Sequence, residues 1–303
     1  MANLGVNFLG IDFKNPMVTA SGAYGYGREY ESLYPLSELG GISTKGTTLK
    51  VKDGNPPPRI AETPMGMLNS VGLQNGGVDK FLSYELPNLI TKNIRIIANI
   101  AGGTVEECVE LVKRMNGTAV DMIELNISCP NVKQGGAAFG TNPVTAGEIT
   151  RAVKDATELP LMVKLSPNVT SITEIAKSVE ANGADAVSLI NTLLGMRIDI
   201  RSRRPILKNN VGGLSGPAVF PIAVRMVWQV ANAVNIPVCG MGGIDSGEDA
   251  IEMMMAGASL LQVGAAIFKD AYAPVKIVRE MNEWCDKNGV HDINEIIGTV
   301  KPW

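Results

Sequence analysis

The sequence predicts a (β/α)8 barrel, and two observations carry that reading. Short β-branched apolar runs recur along the whole 303-residue chain, with helical patterns between them. Polar and glycine residues collect at the C-terminal end of nearly every run, where a barrel keeps its active site. The runs are 17–20, 41–44, 94–100, 122–126, 161–165, 186–190, 237–239 and 260–263. Most are continuous rather than alternating, as strands buried on both faces should be. The rival is a doubly wound open sheet. It is disfavoured because no GxGxxG follows the first run; the glycines at Gly22, Gly25 and Gly27 have the wrong spacing.

The segment 6–13 reads as a small hairpin turning at Gly10, placed to cover the barrel bottom. Residues 104–115 carry Val105, Cys108, Val109 and Val112 at helical spacing. A helix over 143–157 starts with Asn142 as N-cap and Pro143 at its first position. Helices over 171–182 and 246–256 stop at Gly183 and Gly257, and Ser246 with Asp249 resembles a capping arrangement. With these, the pattern along the chain is eight strands alternating with about eight helices. Two connections, 47–77 and 193–217, exceed ordinary loop length and belong on the C-terminal face. No linker-like stretch divides the chain, so residues 1–303 are expected to form a single domain.

Composition narrows the chemistry. The net charge of −3, from 27 basic and 30 acidic residues, argues against a nucleic-acid binder. No apolar run could span a membrane, and the N-terminus does not read as a signal peptide, so a reducing, cytoplasmic setting is expected. His291 is the only histidine, which nearly excludes histidine-based catalysis and leaves no expected metal site. Cys108, Cys129, Cys239 and Cys285 form no CxxC pair. Glycine, at 33 residues, exceeds the usual ~7%.

The strand ends hold the candidate chemistry. Backbone at Gly242-Gly243 and Gly264-Ala265, after the seventh and eighth strands, suits a phosphate. Lys45 and Lys164, at strand ends among apolar residues, need an anionic partner. Lys164 could stabilise negative charge on a flavin, or act as a Schiff-base lysine as in barrel aldolases. Lys45 could hold a carboxylate. The amides Asn69, Asn99, Asn126, Asn131 and Asn191 favour reading a flat heterocycle. Cys129, just past the fourth strand, is a candidate base or nucleophile, followed by a glycine-bearing segment 132–141 that could act as a lid. The other three cysteines read as structural. Arg197, Arg201, Arg203, Arg204 and Lys208 read first as a solvated face and second as a surface for a subunit or anion.

Several segments together closely resemble the class 1 dihydroorotate dehydrogenases, over nearly the whole chain. They are Asn15-Pro16 through Ser21-Gly22, Ser43-Thr44-Lys45-Gly46, Asn69-Ser70-Val71-Gly72-Leu73, Asn126-Ile127-Ser128-Cys129-Pro130-Asn131, Lys164-Leu165-Ser166-Pro167, Asn191-Thr192, Gly212-Gly213-Leu214-Ser215-Gly216 and Gly240-Met241-Gly242-Gly243-Ile244. The resemblance implies an FMN enzyme that oxidises dihydroorotate to orotate in pyrimidine biosynthesis. It implies Cys129 as the base, with Lys45 and Lys164 completing the catalytic set. Substrate contacts would come from Lys45, Asn69, Ser70, Val71, Gly72, Leu73, Asn126, Asn131, Asn191 and Thr192. FMN would be lined by Ser21, Lys45, Gly46, Asn99, Asn126, Lys164, Ile190, Gly216, Gly242, Gly243, Gly264 and Ala265.

Within the class, residues 132–136 and 193–197 resemble the NAD-linked type B. That type implies a partner subunit carrying FAD and a 2Fe-2S cluster, in a heterotetramer of two catalytic and two electron-transfer chains. The alternatives are the fumarate-linked type A, a lyase with a Schiff-base Lys164, and a non-catalytic phosphate-ligand module.

Overall fold

The structure, a computed structural model, describes residues 2–128 and 139–303. Eight parallel strands close into a barrel in chain order. They are β1 (Met17–Thr19), β2 (Gly41–Ser43), β3 (Arg95–Ile100), β4 (Met122–Asn126), β5 (Leu161–Lys164), β6 (Ala186–Leu189), β7 (Val238–Met241) and β8 (Ala258–Val263). β8 returns to pair with β1, aligning Leu261 with Met17. One strand face meets the barrel interior and the other lies under helices, so both are buried and the apolar runs are continuous.

The outer layer contains α1 (77–90), α2 (Val105–Met115), α3 (Pro143–Lys154), α4 (Ile172–Ala181), α5 (Phe220–Ala231), α6 (Gly247–Met255), α7 (Ala266–Lys269) and α8 (Ala273–Asn288). The middle of α1, Phe81–Glu85, is wound as π-helix. Thr104, Asn142, Ser171 and Ser246 accept backbone N–H bonds from the first turns of α2, α3, α4 and α6. The strict alternation expected from sequence fails once. Among the described residues no α-helix joins β1 to β2, while both α7 and α8 follow β8. The β1–β2 segment instead packs through aromatic rings, with Tyr24 stacked on Tyr30 and bonded through its hydroxyl to Tyr34. β7 also runs further than expected, through Gly240 and Met241, so the turn above it begins at Gly242.

The strand Val6–Phe8 pairs antiparallel with Ile11–Phe13. The turn between them uses Leu9 and Gly10, both at positive φ. Arg95, at the start of β3, donates from Nε to the Asp12 carbonyl, which puts the hairpin at the bottom of the barrel. At the opposite end the two long connections form one antiparallel sheet, in the order Leu193–Gly195, Gly212–Ser215, Gly66–Asn69, Ile60–Thr63. This cap sheet lies over the C-terminal mouth. Its close approach explains one glycine: a Cβ on Gly213 would lie 1.9 Å from Oγ1 of Thr192.

Two aspartates at the bottom tie neighbouring strands. Asp121, just before β4, accepts from the Ile96 N–H at 2.7 Å. Asp185, just before β6, accepts from the buried Leu161 N–H at 2.7 Å and from Lys154 Nζ at 2.6 Å. Asp185→Ala leaves that N–H without its acceptor and should lower unfolding free energy by about 1–3 kcal/mol. Urea titration measures this; an unchanged midpoint would show that the tie contributes nothing.

Candidate active site

A cavity of about 540 Å³ lies between the strand ends and the cap sheet. Its walls take Ser21 from β1, Lys45 and Gly46 from β2, Asn99 from β3, Asn126 from β4 and Lys164 from β5. Ile190, Asn191 and Thr192 follow β6; Gly242 and Gly243 follow β7; Gly264 and Ala265 follow β8. The long connections add Asn69, Ser70, Val71, Gly72, Leu73 and Gly216. Every candidate site residue that the structure describes therefore faces one space. Cys129 and Asn131 lie outside the described residues, as do residues 132–138 of the expected lid. The arginine-rich group from Arg197 to Lys208 is exposed and does not line the cavity.

Below the cavity, in the barrel interior, sits Glu124 of β4, fully buried. Its Oε2 accepts from Ser43 Oγ at 2.6 Å and Asn99 Nδ2 at 2.7 Å. Its Oε1 accepts from Ser188 Oγ and Gln262 Nε2, both at 2.8 Å. Burial opposes its charge, but Lys164 and the hydrogen-bond donors outweigh that and hold the carboxyl below its usual range. Lys164 itself is buried and donates from Nζ to Ser21 Oγ at 3.2 Å. Cys239 lies in the same interior, and burial with the Glu124 charge pushes its thiol well above the ordinary value. Burial also raises Cys108, to about 12, and Cys285. These three thiols suit packing, not proton transfer.

Lys45 is the contrasting cation. Among the described residues its Nζ has no hydrogen-bond or ion-pair partner. Burial first, and then Arg59, lower its pKa. Across the mouth runs a chain of polar contacts. Ser128 Oγ donates to Asn126 Oδ1 at 2.6 Å, and Asn191 Nδ2 donates to Ser128 Oγ. Asn191 Oδ1 accepts from the Thr192 N–H at 2.9 Å, and Asn168 Nδ2 donates to the Thr192 carbonyl at 3.0 Å. The tops of β4, β5 and β6 are thereby held in one arrangement. Ser70 Oγ, also lining the cavity, is buried with no partner among the described residues.

A model of the dihydroorotate dehydrogenase family matches residues 3–284. The chain belongs to the dihydroorotate dehydrogenase family. It is 54% identical to a protein of Alkaliphilus oremlandii named dihydroorotate dehydrogenase B (NAD(+)), catalytic subunit, over 98% of this chain and 99% of that one. Proteins of the same name from Anoxybacillus flavithermus and Parabacteroides distasonis are 53% and 52% identical. They align over 98% and 99% of this chain, and over 96% and 99% of their own lengths. Among the described residues no helix is long and apolar enough to cross a membrane.

Three further polar residues of this dihydroorotate dehydrogenase family member belong to the site or its floor and carry weaker sequence signals. Glu124 sits among apolar neighbours in β4, where an acid inside a strand was itself the available signal. Gln262 in β8 carries the same signal. Asn168 becomes visible only through its contacts with Thr192 and with the Leu194 N–H.

Glu124→Gln sets an NH2 group against the four donors that the carboxylate accepts from and should cost about 1–3 kcal/mol at neutral pH. The sign of its pH dependence follows from the lowered carboxyl pKa. In the unfolded chain Glu124 takes up a proton first as pH falls below the ordinary carboxylate value, so stability drops from there down through the folded pKa. Chemical denaturation from pH 6 to pH 3 should show a steeper loss for wild type than for Glu124→Gln. Parallel curves would contradict it.

Proposed function

We propose that this chain is the catalytic chain of an NAD-linked dihydroorotate dehydrogenase, oxidising dihydroorotate to orotate in pyrimidine synthesis. The observation that carries the reading is one cavity, in a family member, that gathers two lysines, a set of amides and a glycine-rich rim. The residues present fit FMN. Asn99 and Gln262 line the cavity, each with a buried amide oxygen lacking a partner among the described residues. Gly216, Gly242 and Gly243 have positive φ, and a Cβ on Gly243 would lie 2.7 Å from the Phe220 Cβ, which supports a rim kept open for a phosphate.

Bound FMN would supply the acceptor for a hydride. Lys164 would hold a positive charge against its ring, and Ser21, Gly46, Asn99, Ile190, Gly216, Gly242, Gly243, Gly264 and Ala265 would enclose it. Lys45 would meet the substrate carboxylate, which suits a half-buried ammonium with no partner among the described residues. Asn69, Asn126, Asn131, Asn191 and Thr192 would orient the pyrimidine, with residues 70–73 over it. Cys129 would take the proton from C5 while C6–H leaves as hydride, so that C5=C6 forms and two hydrogens are removed. The electrons would leave through a partner subunit holding FAD and a 2Fe-2S cluster, in a two-plus-two heterotetramer in the cytoplasm.

The purified chain should be yellow, and dihydroorotate should bleach it under anaerobic conditions. A protein that cannot be reconstituted with FMN sinks the proposal. Cys129→Ser should slow flavin reduction by at least a hundredfold and leave FMN binding near wild type; equal effects on both would remove Cys129 as the base. Fumarate turnover by this chain alone would overturn the NAD-linked assignment.

Lys45 gives a pH signature. Its pKa is lowered, so its ammonium is lost on the alkaline side earlier than an ordinary lysine's. Orotate affinity should weaken as pH rises through that lowered value, and Lys45→Met should bind weakly at every pH. A flat wild-type profile up to pH 10.5 would contradict the contact.

A further inference from the structure

Glu124 is a buried charge that the reaction scheme above leaves without a task. It does not line the cavity, yet two of the residues it binds do: Asn99 and Gln262. A carboxylate only accepts, so each amide must turn its NH2 group toward Glu124. A carboxamide is planar, so its oxygen then points away from the carboxylate. Asn99 Oδ1 and Gln262 Oε1 are buried and have no hydrogen-bond partner among the described residues. Asn99 Oδ1 lies under the rim, where a Cβ on Gly46 would come within 3.0 Å of it.

Two orphaned carbonyl oxygens on one cavity are costly, at about 1–3 kcal/mol each. They would be relieved by a ligand that brings donors. Neither side chain can relieve itself by flipping, because a flipped amide would set its oxygen against the Glu124 carboxylate. The two serines on Glu124 have no such consequence, since a hydroxyl can turn its proton freely. The carboxylate thus converts its own acceptor character into two fixed acceptors at the cavity floor.

We propose that Glu124 is a positioning residue for the cofactor. It locks the Asn99 and Gln262 amides so that their oxygens accept from N–H or O–H donors of FMN. This rests on the flavin reading above. Replacing Glu124 by glutamine puts one NH2 group into the knot. Asn99 or Gln262 must then turn round or lose its bond, and a donor replaces an acceptor at the floor.

The test is FMN affinity of stripped protein, followed by quenching of flavin fluorescence, with melting of the FMN-free forms in parallel. Glu124→Gln and Gln262→Met should each weaken FMN binding by roughly tenfold or more. The double variant should bind no more weakly than the weaker single one: with Gln262 gone, the introduced NH2 group can face the Ser188 hydroxyl, and the bond that holds Asn99 is kept. Glu124→Gln lowers the FMN-free melting point in either case, because four buried bonds are disturbed; for a merely structural Glu124 the FMN losses would multiply in the double variant, and that result overturns the proposal. So does wild-type affinity in Glu124→Gln. If Glu124→Gln does not fold, Gln262→Met decides: tenfold weaker binding supports the proposal, and wild-type affinity overturns it. Failure of the wild-type chain to take up FMN would instead sink the flavin reading, and this inference with it.

Discussion

A carboxylate inside a barrel has no water to solvate it, so the strands must do so. Glu124 receives four donors, from Ser43, Asn99, Ser188 and Gln262, on β2, β3, β6 and β8. With β4 supplying the carboxylate, one side chain joins five of the eight strands. A buried ion tolerates little geometric error, because each missing bond returns part of its desolvation cost. The register and curvature of the barrel around this point are therefore constrained by chemistry as well as packing. The same constraint reaches upward, since Lys164 sits close enough for its charge to lower the Glu124 pKa and also lines the cavity.

The cap sheet completes what the barrel starts. Parallel strands deliver their ends to one rim but cannot close it. Two connections far apart in sequence do so by pairing Gly66–Asn69 with Gly212–Ser215. This pairing brings Asn69 and Gly213 together over Thr192, with the Asn69 amide donating to the Gly213 carbonyl at 3.5 Å. The cavity is thus walled by rigid strand ends below and by an antiparallel sheet above.

The legible part of the fold was the part with local signals. Continuous β-branched runs marked the barrel strands, and Thr104, Asn142, Ser171 and Ser246 stand where helix N-caps belong. The 6–13 hairpin was legible because Gly10 marks its turn. The cap strands were not: Gly212–Ser215 has little β propensity and is made a strand by pairing with Leu193–Gly195 on one side and, more than a hundred residues away, Gly66–Asn69 on the other. The segment between β1 and β2 carries no such signal either, because its order comes from stacked tyrosines, which leave no periodic pattern. Strand-end residues such as Lys45, Asn99 and Gly243 could be placed in the site because strand ends share one face. Glu124 and Gln262 point inward from mid-strand, and their meaning depends on which strands surround them.

The two lysines show how one residue type is set to two tasks. Lys164 has a carboxylate in its neighbourhood and a serine hydroxyl on its Nζ, so its charge is matched before any ligand arrives. Lys45 has neither among the described residues; burial and Arg59 both work against its charge. An anion entering the cavity gains most where positive charge is least satisfied, because there it replaces a desolvation penalty rather than an existing bond. That asymmetry directs a substrate carboxylate to Lys45 and leaves Lys164 for charge that develops on a bound ring. Exchanging their surroundings would require moving Glu124, and Glu124 is held by four strands besides its own.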